Sequence, residues 1–507
     1  MKLRRWQRFA LAVATAVFAF IGLGAWAIAS PVGAAPDDDY HLASIWCAWG
    51  ERADLCAPGD TEDERVVPER LVEASDCFWG SAEKSAACWV TDETDVSTSR
   101  GNFTGHYPPV FYAVMGMFAS PDIAVSTVLM RLFNAAVFVG AVSAIIALLR
   151  PGQRGPIIWG ALVTLVPLGV FIIPSVNPSS WAVLAGLTVW IATYGFFTAA
   201  SRPRAAALAA LAVVLGAMGA GARGDSAVYV AFGGVIAAIL AFEKSRSWLK
   251  RALLPLGLII IGAFFFLTAT QSTGAATAGA AVGLAGAGGS SADPVEPVSQ
   301  WGTVLANFLD LPWLWTGGTG TWALGWLDTP VPNSVWVVMI GLLFAVVLWG
   351  LQVTNWRKGI AISLTLLALI AVPLYVLYGL YARVGDQVQP RYLLPLVVIC
   401  VSVVVVGFTS DTLGLNRLQT GVIFAGIALA YALSLHNNMR RYISGLGDSS
   451  FNLNADIEWW WSMPLQPMTV WLLGCLAFVL MLMGLFVFLH SDSARMKSAK
   501  LETKAAL

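Results

Sequence analysis

The sequence predicts an all-α polytopic membrane protein, a bundle of about twelve transmembrane helices with a disulfide-bearing first external loop. Three observations carry that expectation. The 507 residues are 57% hydrophobic and only 12% charged, with mean hydropathy +0.71, which is too apolar for the surface of a soluble protein. The apolar runs approach or exceed the roughly 20 residues a helix needs to cross a bilayer core, and they lack the alternation of barrel strands. Lys and Arg are also divided unequally between alternate connecting segments, as in chains oriented by their basic loops.

Taken in order, the spans are read at about 7 to 29, 122 to 149, 157 to 173, 180 to 199, 205 to 222, 227 to 243, 252 to 269, 333 to 350, 358 to 380, 393 to 408, 418 to 436 and 468 to 489. The first, within an anchor segment 1–30, precedes Val32-Gly33-Ala34-Ala35, which has the look of a signal cleavage site. Its apolar stretch exceeds the 7 to 15 residues usual for a signal peptide, so an uncleaved anchor is expected. One set of short segments holds 19 of the 30 Lys and Arg but only Glu243, Asp411, Asp492 and Glu502 of the acids. That set includes the N-terminus and the tail 491–507, which are therefore expected in the cytoplasm. The other 26 acids face outward, and a plasma-membrane protein with an external working face follows.

The first external loop, 31–109, carries 16 Asp and Glu and four of the six cysteines, Cys47, Cys56, Cys77 and Cys88. Cysteines in an oxidising compartment suggest two disulfides. Nearest-neighbour pairing, Cys47 with Cys56 and Cys77 with Cys88, is one of three connectivities. No histidine pair or Cys-x-x-Cys spacing points to a metal instead. After spans two to seven (110–269) comes a second external segment, 270–332, glycine- and alanine-rich at first and then dense in tryptophan from Trp301 to Trp326. Tryptophan favours the headgroup level, so a re-entrant or surface-lying element is expected. Residues 333–490 hold spans eight to twelve and a third external loop, 437–467, with Arg440, Arg441 and Trp459-Trp460-Trp461.

The polar motifs gather on the external side. Pro36-Asp37-Asp38-Asp39-Tyr40-His41 follows the anchor. A carboxylate at this level can take a proton from a hydroxyl, or hold a divalent cation through oxygen ligands. If the segment is helical, His41 shares a face with Asp37 and Asp38. His106-Tyr107-Pro108-Pro109 leads into an apolar stretch, with prolines that allow a helix to begin after them, and Asn177-Pro178-Ser179-Ser180 places Asn177 to cap a helix. Arg131 is the one clear charge inside a span, some 13 Å from its outer end at about 1.5 Å per residue, and a buried intramembrane arginine is a functional candidate. Arg383, Asp386 and Gln389-Pro390-Arg391-Tyr392 open the tenth span, where a guanidinium can bind a lipid phosphate through paired hydrogen bonds. Arg223-Gly224-Asp225 and Arg440-Arg441 reach the same level. No Walker A sequence, His-Glu-x-x-His or nucleotide fingerprint occurs, which argues against ATP-driven chemistry.

Together, Pro36-Asp37-Asp38-Asp39-Tyr40-His41, Tyr107-Pro108-Pro109, Arg131, Asn177-Pro178 and Gln389-Pro390-Arg391-Tyr392-Leu393-Leu394-Pro395 resemble the predicted membrane-protein family called domain of unknown function 2142 (DUF2142). The resemblance runs from the anchor through at least the tenth span. It departs where Asp38 stands for Glu, Ser179-Ser180 for Asp-Gly, and Pro390 for Gly. The resemblance implies a GT-C-like bundle, a superfamily whose members take a sugar from a polyprenyl phosphate carrier and use an acidic residue of the first external loop.

By that resemblance Asp37, with Asp38, would activate an acceptor hydroxyl, and His41 would orient a carboxylate or join a cation site. Arg391, assisted by Arg383 or Arg223, would hold the leaving phosphate. Tyr107, Asn177, Gln389 and Tyr392 would complete the substrate site, with Arg131 supporting it from below. The partners implied are a polyprenyl-phosphate sugar, a glycan or lipid acceptor of the cell envelope, and membrane lipids, with no nucleic acid. A divalent cation on Asp37 and Asp38 is the one cofactor the pattern suggests. A flippase or transporter of lipid-linked sugars is the alternative, although no acid lies deep in a span and no inverted repeat is visible. A non-catalytic envelope assembly protein is a third reading.

Overall fold

The computed structural model describes residues 4–88, 94–269, 300–386, 388–447 and 450–505, with side chains described as far as Ser491 and those of Cys88 and Gln300 excepted. The chain is a helical bundle. In order, α1 spans Arg5–Ile28, α2 Asp38–Trp46, α3 Val110–Met115, α4 Ile123–Leu148, α5 Gly155–Thr164, α6 Leu168–Ile172, α7 Ser179–Thr198, α8 Arg202–Ala220 and α9 Gly224–Leu240. There follow α10 at Arg246–Arg251, α11 at Leu253–Thr268, α12 at Gln300–Thr316, α13 at Asn333–Leu351, α14 at Trp356–Gly379, α15 at Pro390–Val404, α16 at Arg417–Ile443 and α17 at Pro467–Ala505.

Nine helical stretches among the described residues are long and apolar enough to cross a membrane, and three further apolar helices, α5, α9 and α15, are shorter. All twelve segments read as spans are helical, but the count of long ones is nine rather than twelve. The segment read at 157 to 173 is divided into α5 and α6 around Pro167, since a proline lacks the N–H that continues a helix and crowds the preceding turn. The span read at 418 to 436 continues to Ile443, so Arg440 and Arg441 lie in the last turn of α16 and not in a loop.

Local chemistry sets several helix starts. Asp122 accepts from Val125 N at 3.0 Å ahead of α4, and Asn416 with Gln419 forms a capping box ahead of α16, each satisfying N–H groups that the first turn leaves unpaired. For α5 the cap comes from far away. The Asp411 carboxylate accepts from the backbone N–H groups of Gly152, Arg154 and Gly155 at 2.9 to 3.1 Å, where the helix dipole favours a negative charge.

The most enclosed of the nine long helices is α7, with 83% of its apolar window buried. It is packed by α8, α9, α15 and α4, and its Trp181 and Trp190 are fully buried. Around that centre α1 lies along α17 and α4. The tryptophan-rich segment forms α12, where Trp301 is 80% and Trp313 52% exposed. The glycine-rich run 274–292 lies outside the described residues.

Residues 31–109 form a cap at one end of the bundle. Its described residues include α2 and a small antiparallel sheet in which β1 (Ala57–Pro58) pairs β2 (Arg65–Pro68), and β2 pairs β3 (Asp95–Thr98) with Arg65 opposite Thr98, and α3 follows directly after it. Cys47 and Cys56 form a disulfide with Cα atoms 5.3 Å apart, as expected. Cys77 is also disulfide-bonded, while the side chain of Cys88 lies outside the described residues. Cys400 and Cys475 are free thiols.

Candidate active site

Between α1 and α2 the chain has no regular hydrogen bonding of its own, and residues from distant helices supply it. Arg131 of α4 donates to Ala27 O, Ser30 O and Pro31 O at 2.7 to 3.2 Å. Trp461 holds Ile28 O, Asn438 holds Ala29 O, Trp326 holds Gly33 O and Tyr442 reaches Ala34 O. Asn177 Nδ2 then takes Pro36 O at 2.7 Å, and Arg391 Nη1 takes the same oxygen at 3.2 Å. Buried carbonyls left without donors are costly, so these side chains fix the path of the linker. Gly33 turns it at φ +80, where an added Cβ would stand 3.0 Å from that of Ala74.

The linker ends at Asp37, which adopts a left-handed backbone, φ 61, immediately before α2. Such a conformation costs a non-glycine residue of order 1 kcal/mol or more and persists only where the surroundings determine it. Its effect is to turn successive carboxylates in different directions. Asp37 Oδ2 accepts from Arg391 Nη2 at 2.5 Å, and its Oδ1 lies 3.9 Å from Arg100 Nη2. Asp38 turns inward: fully buried, it accepts from Ala35 N at 3.0 Å and lies 3.9 Å from Arg131. Asp39 pairs with Arg100. Asp37 and Asp38 therefore face different arginines and do not form the shared oxygen site expected for a divalent cation. Among the described residues no group of three or more His, Cys, Asp or Glu could hold a metal.

Burial raises the pKa of Asp37, but the attraction of Arg391 and Arg100 outweighs it and holds the carboxyl below the ordinary range. Burial, helped by the neighbouring Asp39 and Asp37, pushes Asp38 up to about 7 against the pull of Arg131 and the hydrogen bond from Ala35 N. His41 is fully enclosed and burial lowers it to about 3, so it is uncharged at neutral pH. Its Nδ1 lies 2.9 Å from the hydroxyl of Tyr112 rather than on a carboxylate, while Nε2 has no partner. Tyr40, Tyr107 and Tyr112 surround the ring at 5.4 to 6.0 Å between centroids.

The opposite wall is cationic and aromatic. Arg391 is buried, and its Nη2 also donates to Tyr392 Oη at 2.8 Å. Arg223 is sandwiched between the rings of Tyr107 at 5.6 Å and Tyr392 at 4.8 Å, and Asp225 holds it through two hydrogen bonds of 2.9 and 3.1 Å. The Tyr107 backbone is fixed by Asn102, whose amide bonds both its N–H and its C=O. Asn177 also accepts from Ser179 N, so it starts α7 and holds Pro36 at once.

The structure thus brings together Asp37, Asp38, His41, Tyr107, Asn177, Arg223, Arg391 and Tyr392, with Arg131 beneath. It does not bring in Arg383, which is exposed and whose backbone N–H caps onto Asp386. Gln389 only precedes α15 as its N-cap, without a capping side-chain bond. Arg440 and Arg441 serve elsewhere: Arg440 holds Ser450 O and Asn452 O, and Arg441 is bound to Asp328 and Phe78 O. Sequence reasoning gave no role to Tyr112, Arg100, Asn102, Asn438, Tyr442 or Asp328. Arg100 and Asp328 carried a signal as charges in otherwise uncommitted stretches, and Tyr112 as the end of the stretch that opens with His106-Tyr107.

The family model of the predicted membrane proteins DUF2142 matches residues 20–400, three quarters of the chain. The chain belongs to that family. The DUF2142 match takes in Asp37, Asn177, Arg223 and Arg391, and thus the whole linker and both walls of the site. It ends before α16, which supplies Asn438 and Tyr442. No curated protein and no solved structure matches the chain.

Proposed function

We propose that this DUF2142 protein is an inverting glycosyltransferase of GT-C type, transferring a sugar from a polyprenyl phosphate to a cell-envelope acceptor at the outer face of the cytoplasmic membrane. The observation that carries the reading is the meeting of Asp37 and Arg391, 354 positions apart in sequence, at 2.5 Å. They stand where a linker from the first long apolar helix reaches the cap. A proton acceptor and a phosphate-binding cation thus share one site, and 24% of the Asp37 side chain remains accessible.

In the reaction, the acceptor O–H gives its proton to the Asp37 carboxylate as its oxygen bonds to the anomeric carbon. The bond from that carbon to the phosphate oxygen breaks, and the phosphate leaves with the electron pair. Arg391 faces the charge that develops on the phosphate, the kind of fixed stabilisation that contributes most in an enclosed site. Arg223, clamped between two tyrosines, adds positive potential without being free to move. His41, neutral and enclosed, shapes the wall behind Asp37. Cytoplasmic termini and an outward-facing cap follow from the distribution of Lys and Arg.

The test compares envelope glycans and lipid-linked sugars in a deletion strain complemented with wild-type protein, Asp37→Asn or Arg391→Gln. A positioned general base contributes about 10²–10⁴-fold, so Asp37→Asn should lower transfer by at least about a hundredfold. Undiminished transfer by Asp37→Asn at the wild-type protein level overturns the assignment. Translocation of the carrier by reconstituted vesicles without sugar transfer would establish the flippase instead.

A further inference from the structure

Arg391 is engaged in a way that leaves half of its fork open. Its guanidinium presents two donors side by side, Nε–H and the outer Nη2–H, the edge that matches two oxygens of a carboxylate or phosphate. Asp37 occupies only Nη2, while Nε is buried without a partner. An unsatisfied buried donor beside a 2.5 Å ion pair is a poor resting arrangement unless another ligand takes that edge. The other cations of the site are committed more fully. Arg223 is held through two nitrogens by Asp225, and Arg100 through two nitrogens by Asp39. Of these three arginine–aspartate pairs, Asp37–Arg391 is the one made through a single guanidinium nitrogen.

We infer that the donor's phosphate displaces Asp37 from Arg391 and takes the Nε–Nη2 edge through two oxygens, so that one guanidinium receives one phosphate group and the carboxylate is released for the acceptor. The inference rests on the function proposed above and deepens it in two respects. First, the donor is a sugar phosphodiester with one negative charge and not a diphosphate, because the Nε–Nη2 edge of one guanidinium matches two oxygens of a single phosphate. Second, the order of binding is set by the site. While Asp37 is bound to Arg391 it is a weak base, and it becomes competent only after the phosphate has arrived.

The charges close around the cycle. The bound donor and the ionised Asp37 carry one negative charge each. After transfer Asp37 is protonated, the released phosphate monoester holds both charges, and Arg391 still faces it. When the monoester leaves, Asp37 gives up its proton and pairs again with Arg391.

The experiment uses the full-length protein in lipid nanodiscs, with farnesyl phosphate and farnesyl diphosphate as probes and direct binding as the readout. Asp37→Asn removes the competing carboxylate and is expected to bind farnesyl phosphate about tenfold more tightly than wild type, a change of about 1.4 kcal/mol. Arg391→Gln should lose binding, and Arg391→Lys, which keeps the charge but not the fork, should recover only part of it. Farnesyl diphosphate should bind wild type no more tightly than the monophosphate. Equal or weaker binding by a folded Asp37→Asn overturns the displacement, and a tenfold preference for the diphosphate overturns the single-phosphate donor. Failure of both probes to bind either protein overturns the inference as a whole, whereas the glycosyltransferase reading stands or falls separately on the transfer assay.

Discussion

Two arginine–aspartate pairs at the same end of the molecule serve opposite purposes. The Arg441 and Asp328 side chains are 0% and 4% exposed, and the Asp328 carboxylate is filled: Oδ2 accepts from Gly80 N and Arg441 Nη2, and Oδ1 from Thr329 Oγ1. Arg441 in turn donates to Phe78 O and Lys84 O. This pair fastens the cap to α16 and to the segment after α12. Asp37 and Arg391 lie 354 positions apart against 113 for Asp328 and Arg441, yet Asp37 is a quarter exposed and its second oxygen has only the distant Arg100. The Arg441 Nε, like that of Arg391, has no partner, so the two pairs differ in their carboxylates: the Asp328 pair is closed, with both oxygens taken, and the Asp37 pair is open, with its carboxylate a quarter exposed and one oxygen lightly held.

The largest expected effect breaks the closed pair. Asp328→Asn leaves Arg441 charged and buried without its anion, which typically costs about 3–5 kcal/mol, and the yield of folded protein in detergent should collapse. Asp37→Asn should lower the unfolding midpoint by less than Asp328→Asn, because the Asp37 side chain is 24% exposed and Arg391 keeps its bonds to Pro36 O and Tyr392 Oη. Equal losses in the two variants would erase the distinction.

Next in size is a pH effect at Asp38. Its folded pKa, about 7, lies above the ordinary 3.8, so the folded state favours the protonated form. The sign follows from linkage: stability is greatest below the unfolded pKa and falls as pH rises from about 4 to about 7, levelling off above. Asp38→Asn should flatten that fall, seen as a wild-type midpoint that drops by several degrees more than the variant's between about pH 4.5 and pH 7.5.

A smaller effect is expected from Asn177→Ala, which removes the neutral donor to Pro36 O and the acceptor of Ser179 N. A loss of about 1–2 kcal/mol with a larger fall in transfer would mark Asn177 as a positioning residue. The smallest belongs to Arg383→Ala. An exposed arginine outside the site should alter stability by less than about 0.5 kcal/mol and leave transfer unchanged; a clear loss of transfer would return Arg383 to the site.

The members of the open pair were legible in the sequence and those of the closed pair were not. Asp37 and Arg391 stand in short polar motifs flanked by proline beside long apolar runs, where a charge at the membrane boundary draws attention. Asp328 sits among tryptophans, and Arg441 was read with Arg440 as a headgroup-level cation of an external loop, not as the partner of Asp328. The nine long helices were legible because each carries enough apolar residues to cross a bilayer. The shorter α5, α9 and α15 were read as equals, because packing inside a bundle leaves the same apolar signature as contact with lipid. The least visible features were the donors to the linker. Asn438, Tyr442, Trp326 and Trp461 bind backbone carbonyls, and a carbonyl has no side chain by which the sequence could advertise its partner. Arg131 was found because it is charged, though its hydrogen bonds go to the end of α1 and no substrate role is visible in them.

The linker's dependence on late parts of the chain bears on biosynthesis. During translation α1 and α2 emerge first, but the groups that grip residues 28, 29, 33 and 34 belong to positions 461, 438, 326 and 442. A ribosome-bound chain stopped after α15 would already contain Asp37 and Arg391, with three of those four groups still to come. The path of the linker is thus completed only by α16 and the segment after it.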